Sequence, residues 1–534
     1  MINKWLLFWS VVIIVFVCFA PDLRNQLLDW DDNGYIYNNE YIRSLSFETV
    51  VWAFTEFYCN YWAPLTWLSF SLDYAVWGIN PVGYHLTNNL IHAFNAGLFF
   101  LIAFNLLRRY AVEYGDSSAG NHTSMLYCAV LAALFFGIHP LRVESVAWAT
   151  ERKDVLSMFF GLGAVLVYLK YTKYADAMPG ARNLGFLCRS THYWVLLVLY
   201  VLSLMSKAIL ITLPLVLLVL DWFPLKRFNQ KNSKLIFFEK IPLVLIAVFI
   251  SNVTLRAIAI ESKTLSEINI QTRLLIAFKS VITYLGLMLV PTDISPVYYH
   301  PGNVTIGFDY ILSILIVVLI SFYCVLIMRR RPVFLAVWLV FLLTLSPMLG
   351  LTQSGQQEMA ARFAYIPSLS ISLLAALGAF AVHSRVSVFS KIKLLVPVCV
   401  LFVLATLAFL TVRDIGFWKN DIALWSRVIE LQPHMFGKAY FQRSLFLNLE
   451  GEYQKALSDV DEALTIALRK NYGGIHEIYA HRARIFKNMK DYDSAVADFD
   501  RAIELSGPPY STIYNDEREA LERFVKEADL ASKK

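Results

Sequence analysis

Apolar runs long enough to cross a membrane recur along the first ~410 residues, and they decide most of what this chain can fold into. They fall at 5–20, 88–107, 124–139, 154–170, 193–206, 208–222, 238–255, 310–328, 332–350, 364–382 and 394–412, with an ambiguous run at 274–290. In lipid every backbone polar group must be satisfied internally, so such runs become helices. Composition agrees: 57% of the 534 residues are hydrophobic and 16% charged, with mean hydropathy +0.52. A soluble domain is about a quarter charged. The aromatic content of 15% suits side chains seated at membrane interfaces. A net charge of +6 without a concentrated basic face excludes a nucleic-acid partner. Cys18, Cys59, Cys128, Cys188, Cys324 and Cys399 are scattered singly, which argues against a zinc site or a disulfide framework and for small apolar side chains.

The predicted fold is all-α: a polytopic transmembrane helical bundle of about 11 spans, followed by a soluble α-solenoid. The bundle is predicted over 1–412 and the solenoid over 413–534. The first run follows Lys4 and lacks a small-x-small cleavage site, so it reads as an uncleaved signal anchor. With the N-terminus inside, the inner loops hold eighteen basic residues against Glu113, Asp116, Asp176 and Glu239. The outer loop 21–87 has eight acids and two bases. The alternation holds if 274–290 is an interfacial or re-entrant element within a long outer segment, 256–309. The C-terminal region then lies outside.

Beyond Thr411 the chain turns polar. Gly451–Leu464 and Lys490–Ile503 align at an offset of 39, matching Tyr453/Tyr492, Ala456/Ala495, Asp459/Asp498, Asp461/Asp500 and Ala463/Ala502. This is the second helix of a tetratricopeptide (TPR) unit, lengthened by a loop at 470–476. A degenerate copy lies at 421–433 and a capping helix is expected at 515–529. Stacked hairpins form a concave surface suited to peptide or protein, although a purely structural cap is the alternative.

Ionisable residues at span ends are functional candidates in a membrane domain. On the predicted topology several share the outer face. Asp31 and Asp32 follow the first span; paired carboxylates serve as a general base, a metal-ligand pair or an anchor for a hydroxyl or ammonium, against the alternative of a solvated acidic turn. The stretch 139–154 contains His139, Arg142, Glu144, Glu151, Arg152, Lys153 and Asp154 in a short loop. In a helix after Pro140, Glu144 and Trp148 share a face. Lys207 lies between two spans with almost no loop, and Arg362 enters another span from outside. Converging Arg and Lys suit a phosphate group. His300, beside Tyr298 and Tyr299, is a weaker candidate. The Trp-rich stretch 50–77 reads as amphipathic helices on the outer leaflet.

In this order, Trp30–Asn39, Asn80–Asn89, His139–Trp148, Glu151–Leu156, Ser206–Pro214, Arg362–Pro367 and Phe417–Trp425 resemble the GT-C class of membrane glycosyltransferases. The closest likeness is to the protein O-mannosyltransferase-like subfamily with tetratricopeptide repeats, most of all its prokaryotic branch. It covers nearly the whole chain. Ala361 stands where relatives commonly have Asp before the arginine, which weakens any Arg–Asp pair there.

The resemblance implies an outward-facing site, in a bacterial inner membrane, with a polyprenyl-phosphate sugar as donor and a Ser/Thr hydroxyl of a protein as acceptor. One of Asp31 and Asp32 would take the hydroxyl proton, and inversion at the anomeric carbon would release lipid phosphate. Glu144 would orient the acceptor or the carboxylates. Arg152, Lys207 and Arg362 would contact phosphate, with His139, Asp154 and His300 in support. A divalent metal belongs to the broader class, but no ligand cluster stands out beyond the two aspartates. The rivals are a lipid or polysaccharide acceptor, and a non-catalytic membrane scaffold for the repeats.

Overall fold

A computed structural model describes residues 3–114, 122–177, 184–228, 233–259, 268–351, 357–386, 395–433, 437–470 and 474–532. Asp116, Arg182, Lys231, Lys391 and Lys393 of the charge count lie outside these, as does 471–473 of the predicted surplus loop. The chain divides into two compact units, Met1–Trp418 and Lys419–Lys534.

The first unit opens with α1 (Lys4–Phe19), capped by the Asn3 side chain on the Trp5 amide. The following loop folds into a π-helical turn (Asn33–Tyr37), α2 (Phe47–Thr55) and α3 (Pro64–Trp77). Next come α4 (Pro81–Tyr114), α5 (His122–Gly137), the short α6 (Val143–Ala147) and α7 (Arg152–Ala177). Then follow α8 (Leu184–Arg189), α9 (Thr191–Ser206), α10 (Leu213–Trp222), α11 (Ser233–Ala259) and α12 (Ile270–Leu289). The unit ends with α13 (Phe308–Ile327), α14 (Pro332–Leu345), α15 (Ser368–Val386) and α16 (Leu395–Ile415). A two-stranded ribbon pairs β1 (Tyr298–Tyr299) with β2 (Gln357–Met359) antiparallel.

Each of the twelve apolar runs becomes a helix, but not all of them are long enough for the expected eleven spans. Among the described residues, seven helices are long and apolar enough to cross a membrane: α1, α4, α7, α11, α12, α13 and α16. An eighth crossing is available if α5 and α6, bent by 58°, form one broken span. The run 274–290 is a continuous 20-residue helix that meets the same length and composition test. Helix α10 has only ten residues, about 15 Å or half the hydrocarbon thickness.

Small residues set the approach of α1 to its neighbours. A Cβ added at Gly97 of α4 would lie 2.6 Å from Phe8 and 2.8 Å from Val12. One added at Gly137 of α5 would lie 2.5 Å from Val15. Close backbone approach of this kind drives helix association where no hydrophobic effect operates.

Helices α7, α9, α10 and α11 share a buried ionic knot. Asp221 accepts from Tyr168 (2.5 Å), Arg227 (2.9 Å) and Lys240 (2.7 Å). Glu239 accepts from Arg227 and from Tyr171, each at 2.8 Å, while its backbone carbonyl accepts from Tyr193 (2.7 Å). Two acids and two bases neutralise one another at the far end of α7 from Arg152. Residues counted as loop charges in the sequence are therefore structural here.

In the second unit, α17 (Asp421–Leu431) precedes the hairpins α18 (Gly437–Leu449) with α19 (Tyr453–Arg469), and α20 (Ile475–Asn488) with α21 (Tyr492–Leu505). Helix α22 (Tyr510–Ser532) follows and is longer than the predicted cap. The repeated Ala456/Ala495 and Ala463/Ala502 are fully buried. Arg443 grips Asp459 bidentately at 2.7 and 2.8 Å, and Arg482 grips Asp498 at 2.7 and 2.9 Å. Asp459 and Asp498 are thus intra-hairpin staples, while Asp461 and Asp500 pair onward with Arg482 and Arg518 of the following helices. Of the cysteines, Cys128 and Cys324 are buried, Cys18 and Cys59 half-buried, and Cys188 and Cys399 exposed.

The α1 groove makes a direct prediction. Gly97→Val is expected to cost about 1–3 kcal/mol by overpacking. A melt in detergent that matches wild type would show that α1 does not sit against Gly97.

Candidate functional site

The segment joining α5 to α7 builds the site from its backbone outward. His139 caps a 3₁₀ turn by accepting the Leu141 amide (3.2 Å), and its other ring nitrogen meets the Met288 carbonyl (3.2 Å). Asn88 of α4 donates to the carbonyls of Val146 (3.2 Å), Trp148 (3.2 Å) and Ala149 (3.3 Å). Arg142 donates to the Ala364 carbonyl (3.0 Å) and lies over the rings of Phe136 and Tyr365. An irregular backbone at this depth is stable because such partners satisfy it.

The two adjacent aspartates separate. Asp32 is fully buried and accepts the amides of Leu28 and Thr150, each at 2.9 Å, and the Thr150 hydroxyl. Burial pushes its carboxyl up to about 7 against those donors, which lower it, and the Asp31 charge raises it further. Asp31 turns outward: its side chain is 38% exposed and lies 3.9 Å from the buried Lys153 ammonium.

Behind Asp31 the charges form one connected cluster. Lys153 reaches Glu151 at 3.3 Å. Lys207 reaches Glu151 at 3.1 Å and Asp154 at 2.6 Å. Arg362 pairs with Glu144, reaches Glu151 at 3.3 Å and lies over the Trp148 ring. Its backbone amide also donates to Glu144 (2.9 Å). Burial disfavours the charge on Lys207, but Asp154 and Glu151 outweigh it and hold the ammonium above its ordinary range. Arg362 is held protonated likewise by Glu144 and Glu151. Glu144 also borders a shallow surface depression shared with Pro140, Pro296 and Trp418.

The structure therefore brings together Asp31, Glu144, Asp154, Lys207 and Arg362. Arg152 is turned away, fully buried on Asp73 (2.6 Å) and the Tyr84 carbonyl (2.9 Å). At about 100° per residue Asp154 lies within about 60° of Glu151, and Arg152 lies about 160° from Asp154. His139 is a cap. His300 accepts the Gly302 amide (3.1 Å), next to the β1 strand that pairs with β2 ahead of Arg362. Sequence reasoning quoted Glu151, Lys153 and Tyr35 without singling them out, and it missed Tyr61; the rings of both tyrosines face the Lys153 ammonium. The i, i+3 spacing of Glu151 and Asp154 was the available signal for the first. The tyrosines had none.

A metal does not fit the aspartate pair. The oxygens of Asp32 are committed to Leu28 and Thr150, and an ammonium already faces Asp31. Among the described residues, no three His, Cys, Asp or Glu side chains are grouped so as to hold a metal ion.

A helical membrane bundle with an ionic site at one end, joined to tetratricopeptide repeats, is the class that fold and site define. The tetratricopeptide repeat family matches residues 476–508. The chain is related to proteins named protein O-mannosyl-transferase: human TMTC2 is 38% identical over 108 residues, 20% of this chain and 11% of that protein. Mouse TMTC4 is 27% identical over 210 residues, 36% of this chain and 26% of the relative. Tmtc3 of Drosophila melanogaster is 33% identical over 111 residues, 20% and 12% of the two chains. The matches thus span about a tenth to a quarter of the relatives' length.

Asp32 carries a pH prediction. The folded state keeps its proton up to about 7 where the ordinary value is 3.8, so folded chains bind more protons in between. Its stabilising effect is full below pH ~4 and is lost as pH rises to ~7. Asp32→Asn is expected to lower the melting temperature at pH 5, losing an acceptor worth about 1–3 kcal/mol, and to flatten the pH dependence. A variant melt that tracks wild type across this range would contradict the assignment.

Proposed function

We propose that this protein is a membrane glycosyltransferase that moves a sugar, mannose by resemblance, from a polyprenyl-phosphate donor to Ser/Thr hydroxyls of proteins. The observation that carries the reading is the outward Asp31 carboxylate at the edge of a cluster with two buried lysines and the partly exposed Arg362. Asp31 accepts the proton of the acceptor hydroxyl, and that oxygen attacks the anomeric carbon opposite the phosphate. The lipid phosphate departs with the bonding electrons. Arg362, the most exposed of the three cations at 14%, meets its charge first, with Lys207 behind it.

Glu144, Glu151 and Asp154 hold the cations in place before substrate arrives, which is the preorganisation that transition-state stabilisation needs. Asp32 is a positioning residue that fixes Thr150 and so the start of α7. Arg152 secures the same helix to the first loop through Asp73 rather than touching phosphate. In this reading the N-terminus lies inside and α12, whose end meets His139 at the site, runs along the outer face without crossing, so that the site and the repeats face outward and the repeats recruit the protein acceptor. The relatives' names, protein O-mannosyl-transferase, support the reaction class and the protein acceptor.

The test is transfer from radiolabelled polyprenyl-phosphate mannose to membrane proteins by the purified full chain. Asp31→Asn is expected to lower the rate about 10²–10⁴-fold with an unchanged melting temperature. Wild-type activity in that variant would overturn the reading. Label confined to the lipid or polysaccharide fraction would replace the protein acceptor.

A further inference from the structure

A strained turn in the first loop aims one more side chain at the cluster. Tyr58 and Tyr61 exchange backbone hydrogen bonds at 3.1 and 3.0 Å across a two-residue turn. Its central residues, Cys59 (φ 47°) and Asn60 (φ 62°), are both left-handed. This is the sign pattern of a type I′ turn, which normally takes Asn-Gly. A cysteine at the first position costs about 1–2 kcal/mol, and such strain persists only where the surroundings over-determine it.

They do so on both flanks. The Tyr58 hydroxyl donates to the Gly34 carbonyl (3.1 Å), its ring packs on Trp52 and Trp67, and the Trp62 indole donates to the Phe54 carbonyl (2.9 Å). The turn therefore fixes Tyr61 in space. The Tyr61 ring lies 4.7 Å from the Lys153 ammonium, with Tyr35 at 4.8 Å completing a clamp. Tyr61 is also an electrostatic neighbour of Lys207 and Arg362. Of the two clamping tyrosines, Tyr35 is buried, and Tyr61 keeps a half-buried edge.

We propose that Tyr61 is a further catalytic residue, whose hydroxyl donates a hydrogen bond to a phosphoryl oxygen of the leaving lipid phosphate. The inference rests on the transferase reading above. As the acceptor oxygen bonds to the anomeric carbon, the bond from that carbon to the phosphate oxygen breaks and its electron pair passes to the phosphate. The acceptor proton goes to Asp31, and Tyr61 keeps its own. A neutral donor beside two cations strengthens as charge develops on the oxygen, which is where such a contact accelerates a reaction.

Tyr61→Phe removes the hydroxyl and keeps the ring over Lys153. In the full-length protein it is expected to melt as wild type, to lower kcat about 10²-fold, and to weaken inhibition by a short-chain polyprenyl monophosphate about tenfold. Wild-type kcat and inhibition in Tyr61→Phe would overturn the proposal. So would loss of both only in Tyr61→Leu, which would leave the ring as a positioning element for Lys153. Binding of the monophosphate needs no turnover, so it separates failure of this inference from failure of the transferase reading, which shows as an active Asp31→Asn.

Discussion

Glu151 is the interaction on which the site depends. One buried carboxylate lies within 3.3 Å of Lys153, Lys207 and Arg362. Taking any of these ions out of water alone costs several kcal/mol, and mutual attraction in a low dielectric is what offsets it. The three cations come from three places in the chain: the start of α7, the α9–α10 junction and the segment before α15. Their convergence on one carboxylate fixes those elements together at the face where Asp31 opens to solvent. Glu144 and Asp154 complete the balance at the edges of the cluster.

The same logic recurs at the other end of α7. Tyr168 binds Asp221 about fourteen residues beyond Asp154, roughly 21 Å along the helix. Helix α9 runs between the two clusters, from Tyr193 to Ser206, and α10 returns from Lys207 to Asp221. A ten-residue helix serves because it has only to connect two neutralised knots. The knots differ in kind. The one around Asp221 and Glu239 is closed on itself, while the one around Glu151 has a half-exposed carboxylate and a half-exposed tyrosine at its rim.

The apolar helices and the repeats were legible because their signals are local. Each run of hydrophobic residues became a helix, and the 39-residue offset placed Ala456, Ala495, Asp459 and Asp498 at equivalent packing and pairing positions. Helix lengths were less legible. Hydropathy does not register that the chain from Lys207 to Thr212 stays irregular, shortening α10. The gathering of Lys207, Arg362 and the 139–154 segment at one face was readable from span order. The divergent fates of Asp31 and Asp32 were not, since neighbouring residues in a π-helical entry point apart only once Thr150 has claimed one of them. Arg152 turns away from the place expected for it for the same reason: the phase of α7 is set by a start that Asp32 and Asn88 determine from afar.

The glycine contacts of α1 also order the making of the bundle. Val12 leaves the ribosome roughly 85 residues before Gly97 and still longer before Gly137. Its seat therefore does not exist when it enters the membrane. Helix α1, made before its partners, must wait in lipid with Phe8, Val12 and Val15 uncovered until α4 and α5 arrive beside it. Its docking closes a long stretch of chain, so this helix takes its final place only after its more C-terminal neighbours α4 and α5 have been made.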